Sequence, residues 1–102
     1  MHKVVLVTAS EEDGPKIAET LVKNRLAACV NIMPIRSIYK WKEKIEDDKE
    51  SLLIIKTKST KIDQLKKSLR EIHPYEIPEC IVLSIENGLP DYLNWIDETL
   101  SE

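Results

Sequence analysis

The chain has 102 residues, with 15 Lys+Arg against 18 Asp+Glu, a net charge of −3 and a pI near 5.5. That length suits a single domain over 1–102 with one modest core. With no basic stripe, no nucleic-acid partner is expected. No apolar run approaches the ~20 residues that cross a bilayer. A strand pattern starting beside the N-terminus leaves no room for a signal peptide, so a cytoplasmic protein is expected.

Val4–Val5–Leu6–Val7 reads as a short apolar strand ending at Thr8–Ala9. Ser10 with Asp13 has capping-box spacing, and Pro15 is tolerated in a first helical turn. Ile17, Ala18, Leu21, Val22 and Arg25 then recur at helical spacing. A second strand is expected from Ala28 to Met33, closed by Pro34. Ser37–Trp41 and Ile45–Lys58 read as extended arms around a tight turn at Lys42–Glu43–Lys44. Thr60 and Asp63 repeat the capping-box spacing before an amphipathic helix marked by Ile62, Leu65, Leu69 and Ile72, which Pro74 ends. Cys80–Ile85 has the pattern of a last strand. Pro90 opens a final helix with Tyr92, Leu93, Ile96 and Leu100 on one face.

The order β-α-β-β-α-β plus a C-terminal helix predicts an α+β, ferredoxin-like sandwich with helices over one face. The arms from about Ile35 to Lys58 exceed the ~5–6 residues usual for strands. Their overhang would expose edge groups together with Tyr39 and Trp41, and a second copy would cover them. Glu46–Asp47–Asp48, with Lys44 and Lys49, reads as that hairpin's solvated face.

The connector His73–Pro74–Tyr75–Glu76–Ile77–Pro78–Glu79 concentrates chemistry. Each proline fixes its own φ and pushes the residue before it toward extended backbone. An imidazole, a phenol and two carboxylates therefore sit on a stiff segment, where a binding site is expected. His2 reads as a mobile terminal residue. Cys29 and Cys80 lack metal-site spacing and read as small buried hydrophobes. Gly14 and Gly88, the only glycines, form no phosphate loop, and a Ser59–His73–Asp63 set lacks a nucleophile elbow. No enzyme is expected.

The segments Leu26–Ala27–Ala28–Cys29–Val30–Asn31, Tyr39–Lys40–Trp41, Lys44–Ile45–Glu46–Asp47–Asp48–Lys49–Glu50, Ile55–Lys56–Thr57, His73 to Glu79 and Asp91–Tyr92–Leu93–Asn94–Trp95 resemble the CutA divalent-cation-tolerance family. They follow the family's order and spacing. The resemblance implies a PII-like homotrimer linked to tolerance of copper and other divalent metals. Copper-binding members use a Cys just before the Thr-Ala that ends the first strand, and a His-His pair before Pro-Tyr. Here those places hold Val7, Ile72 and His73, leaving His73 as the metal candidate. Cu(II) prefers several N or O ligands, so a lone imidazole is a weak site.

No cofactor is required under this reading, and Cu(II) or another divalent cation is the metal the resemblance points to. Tyr39, Trp41, Glu50, Lys56, Tyr75 and Glu79, with His73, are candidate linings of clefts between subunits that take a small anion or a partner. Lys56 would pair with Glu50 or Glu79 there. The expected function is a homotrimeric, metal-responsive or PII-like binding or scaffold protein. The alternative is an uncharacterised small-molecule enzyme acting in the same cleft.

Overall fold

A computed structural model of the chain describes residues 1–101. In chain order it forms β1 (His2–Ala9), α1 (Asp13–Lys23), β2 (Cys29–Trp41), β3 (Lys44–Lys58), α2 (Ile62–Ile72), β4 (Cys80–Ser84) and α3 (Pro90–Leu100). The strands make one antiparallel sheet in the order β2-β3-β1-β4. This is the expected split βαβ arrangement with an added helix.

Side chains alternate across a strand, and antiparallel partners share a face. Val5, Val7 and Ala9 of β1 thus lie on the same side as Leu53 and Ile55 of β3. They pack with Ile17 and Leu21 of α1 and Leu65 and Leu69 of α2 in the main core. Burying each of the large aliphatic residues contributes about 2 kcal/mol. Thr57 is fully buried on this side, and its hydroxyl donates to the Leu26 carbonyl at 2.7 Å, so its polar group is satisfied.

The helix ends explain several differences from the sequence expectations. Ser10 and Asp13 do pair: the Asp13 amide donates to the Ser10 hydroxyl, which donates to the Asp13 carboxylate, both at 3.0 Å. α1 stops at Lys23, so Arg25 is not on its apolar stripe. Arg25 instead adopts a left-handed φ of 57°. The Arg25 amide reaches Val22 O and the Leu26 amide reaches Leu21 O, the two bonds of a Schellman turn. α2 is entered through a 3-10 turn, Ser59–Lys61, with no side-chain cap from Thr60.

β2 runs unbroken through Pro34, which was expected to close it. The reason is position: β2 is an edge strand, where a residue without an N–H removes no ladder bond on the open side. β3 pairs with β1 only from Ser51 to Lys58, whereas its pairing with β2 continues from Ile35–Glu50 out to Trp41–Lys44. The overhang gives the molecule extents of 45 × 26 × 20 Å. Lys42 and Glu43 close the hairpin with φ of 48° and 69°, the signature of a two-residue I′ turn, here without its usual Asn-Gly.

The helices do not all lie on one face. His2 alternates with Lys3, so it belongs to the side opposite Val5 and Val7, and its Nε2 lies 3.0 Å from Asp97 of α3. α3 therefore packs on the second face, where Ile96 and Leu100 bury against Ala28. His2 is accordingly a tether and not a mobile end. Tyr92 is not on the buried face of α3; it stacks on Trp95 at 5.6 Å, and both are exposed. The rest of the second face is open: Met33, Ile81 and Leu83 are nearly half exposed, beside the half-buried Leu6, Leu52 and Ile54.

Gly14 sets the approach of α1 to the sheet. A Cβ there would lie 2.8 Å from the Ser51 Cβ, at the first β3 residue that pairs with β1. Gly14→Ala is expected to cost about 1–3 kcal/mol in denaturant unfolding through overpacking. The penalty should shrink in a Ser51→Gly background, and a cost indistinguishable from zero would refute the close-approach account.

Candidate functional site

The connector after α2 holds its shape through three bonds. The His73 amide donates to Leu69 O at 2.8 Å, and Pro74 prevents the helix from continuing. His73 is 6% exposed; its Nε2 lies 2.8 Å from the Thr8 carbonyl, and its Nδ1 accepts the Tyr75 amide at 3.2 Å. Those partners assign the neutral tautomer protonated on Nε2. The imidazole therefore staples the connector to β1 and packs against the Tyr75 ring at 4.6 Å.

Tyr75 then reaches β3, donating its hydroxyl to Glu50 Oε2 at 2.6 Å. A second phenol repeats the arrangement in the overhang, where the Tyr39 hydroxyl donates to Asp48 Oδ2 at 2.6 Å. Arg36 grips Asp47 through two bonds, at 2.8 and 2.6 Å. The acidic run of the hairpin is thus partly engaged in specific bonds rather than wholly solvated. Between overhang and connector lies a cleft of about 760 Å³, lined in part by Thr8, Tyr39, Trp41, Asp48, Glu50 and Tyr75, with Glu76 and Glu79 on the connector side.

Five of the sequence candidates, Tyr39, Trp41, Glu50, Tyr75 and Glu79, meet in this cleft. Lys56 does not line it, since it pairs with Cys29 and Val4 well down the sheet. His73 supports the cleft from beneath Tyr75. Thr8, Arg36 and Asp48 were missed, although strand alternation places Asp48 on the same side as Glu50. The aromatic pair expected to need a second copy has partners within the chain: Tyr39 on Asp48, and Trp41 against the cleft with the Lys42 ammonium 5.5 Å from its ring centroid.

His73 does not fit a resident metal. Both ring nitrogens are engaged, Val7 is sealed in the core, and Ile72 packs against that core. Among the described residues, no group of three or more His, Cys, Asp or Glu is placed to hold an ion. Cys29 and Cys80 are free, half-buried thiols, and burial pushes Cys80 up from its ordinary value.

The fold and cleft define a ferredoxin-like α+β binding domain of the PII-like kind. A family described as CutA1 divalent ion tolerance protein matches residues 3–99, and the chain belongs to that family. It is 45% identical over 100 residues to the divalent-cation tolerance protein CutA of Thermus thermophilus, covering 96% of this chain and 97% of that one. It is 52% identical over 87 residues, 84% of this chain, to a Xenopus laevis CutA homolog, of whose length it spans 58%. Of the mouse protein CutA it spans 51%, so the chain covers little more than half of these vertebrate relatives.

Among solved structures, a periplasmic divalent cation tolerance protein CutA from Archaeoglobus fulgidus superposes with a TM-score of 0.95 at 41% identity, covering 99% of this chain and 100% of that one. The PII-like protein CutA from Nostoc, in apo form, superposes at 0.92 and 35% identity, covering 97% of each chain. No helix among the described residues is long and apolar enough to cross a membrane.

The phenols carry a pH signature. The Asp48 hydrogen bond, then desolvation, pushes Tyr39 from 10.0 up to about 12. Tyr75 is also pushed up, first by burial and then by Glu50. Raised folded values favour the protonated phenol. Their stabilisation is present in full below 10.0 and lost as pH rises through about 12 for Tyr39. An ultraviolet phenolate titration should show Tyr39 protonated at roughly pH 11, where a free phenol is mostly ionised. Asp48→Asn should bring one tyrosine back toward its ordinary value; an unchanged titration would remove the Tyr39–Asp48 bond from the account.

Proposed function

We propose that this chain is a non-catalytic, PII-like binding protein that assembles as a homotrimer and takes ligands in the Tyr39–Trp41–Glu50–Tyr75 cleft. One observation carries this reading: the phenols and the guanidinium of the cleft are already paired with carboxylates. Two phenols donate to two carboxylates, and Arg36 is held by Asp47. Such a site has shape and charge, and among the described residues no serine, threonine or cysteine hydrogen-bonded to a base lines it. Binding suits it better than bond-making.

Assembly is supported by the open second face, whose Met33, Ile81 and Leu83 form an apolar surface with Leu6, Leu52 and Ile54, and by the unpaired edge of the overhang. The link to divalent ions is proposed to run through what the protein binds or presents, since His73 is committed to Thr8 and Tyr75. No resident cofactor is required. A cytoplasmic location is proposed from the two free cysteines, which suit a reducing compartment. Relatives vary in this respect, with one described as periplasmic and plant relatives as chloroplastic.

Light scattering should give three times the chain mass of 11.8 kDa, and Ile81→Glu should lower it. A monomer mass for the parent chain would refute assembly. Calorimetric titration of chelator-stripped protein with Cu(II) should give the same heats for the parent and His73→Ala. Stoichiometric binding lost in the variant would make His73 a metal ligand and overturn this part of the reading.

A further inference from the structure

The charge balance of the cleft narrows what it can hold. Four carboxylates line it, Asp48, Glu50, Glu76 and Glu79, against one guanidinium, Arg36, which Asp47 already grips through two bonds. The cation that would have favoured an anionic ligand, Lys56, lies elsewhere on β3. Three aromatic side chains, Tyr39, Trp41 and Tyr75, share the lining. Aromatic faces attract cations, and Trp is the strongest of them. Trp41 already holds an ammonium, that of Lys42 in the hairpin turn, 5.5 Å from its ring centroid.

Glu50 supplies a second, independent indication. It is only 6% exposed, yet it lines the cleft. Tyr75 donates to Oε2, and Oε1 has no hydrogen-bond donor among the described residues. No buried side chain among the described residues has an N or O atom both sealed from solvent and unpartnered, so Oε1 keeps contact with solvent, and Glu50 lines the cleft. A deeply set carboxylate with one oxygen free is a socket for a donor that carries positive charge. Asp48 and Glu50 lie two residues apart on β3, hence on one face and ~7 Å from each other along the strand. Such spacing suits two ammonium groups joined by a short alkyl chain. The cleft also has the size of a small-molecule site.

We infer that the cleft binds an aliphatic polyamine, with one ammonium on the free oxygen of Glu50 and the alkyl chain against Trp41 and the tyrosine rings. This inference rests on the cleft being a binding site. Arg36 and Asp47 satisfy each other, so they leave the negative balance of the cleft intact.

The test is a calorimetric titration of the full chain, as it assembles, with putrescine and spermidine chlorides in about 0.15 M NaCl, which screens diffuse surface attraction. Inorganic phosphate is run as the anionic probe. Saturable binding of a polyamine at one site per chain is expected, weakened about tenfold or more by Glu50→Gln, which keeps an acceptor for Tyr75. The exposed double variant Glu76→Gln/Glu79→Gln should weaken it by a smaller factor, and it serves if Glu50→Gln fails to fold.

Polyamine heats that do not saturate, or are equal in all variants, would overturn the inference. Saturable phosphate binding instead would overturn the ligand class while leaving the cleft as a binding site. Absence of binding by either probe would remove both. Polyamine binding seen only after Ile81→Glu separates the chains would mean that a basic side chain of a second copy fills the socket, and the free-ligand assignment would fall.

Discussion

The pairing of β2 with β3 continues past the point where β1 ends, and the rest of the molecule's character depends on that mismatch. Up to Ser51 the two strands are flanked by β1 and covered by α1 and α2. Beyond it, from Ile35–Glu50 to Trp41–Lys44, they hold only each other. A two-stranded ribbon is marginal in water by itself. Its residues must find other partners, and the bonds of Tyr39 to Asp48 and of Arg36 to Asp47 are local answers to that need.

The larger answer comes from a segment distant in sequence. The 73–79 connector closes over the root of the overhang, anchored by His73 on Thr8 and by Tyr75 on Glu50. Each bond joins elements far apart in sequence, so a cleft is held open between two stiff walls. The two prolines keep the connector wall from collapsing into helix. Because the imidazole spends both nitrogens on this scaffolding, its role is to position Tyr75. The carboxylates are left as the cleft's outward chemistry. The same geometry supports the proposed role in recognition rather than bond-making.

Much of this architecture was legible because hydrophobic spacing and proline placement are local signals. Ile62, Leu65 and Leu69 marked α2, and Pro74 its end, without any knowledge of tertiary context. What the sequence concealed was position within the sheet. Pro34 looks like a strand terminator until β2 is known to be an edge. The α3 helix has an apolar stripe, but nothing local says that it crosses to the second face, which leaves Tyr92 and Trp95 stacked in solvent. The same holds at the site. Tyr39, Trp41, Glu50, Tyr75 and Glu79 were recoverable from composition and from family resemblance. Lys56 was not separable from them, since it shares a face with Glu50; yet six residues further along β3 is about 20 Å away at ~3.3 Å per residue. Asp48 could have been found by alternation from Glu50.

The central claim is that the overhang is a built wall, ordered by its bonds and covered by association, and not a solvated hairpin. Residue-resolved hydrogen exchange tests it most directly. The account predicts that the cross-strand amides between Ile35 and Glu50 exchange on the slow timescale of Leu53–Thr57 in the core of the sheet. Exchange of those amides at the rate of an open, fraying ribbon, with Leu53–Thr57 still protected, would contradict it.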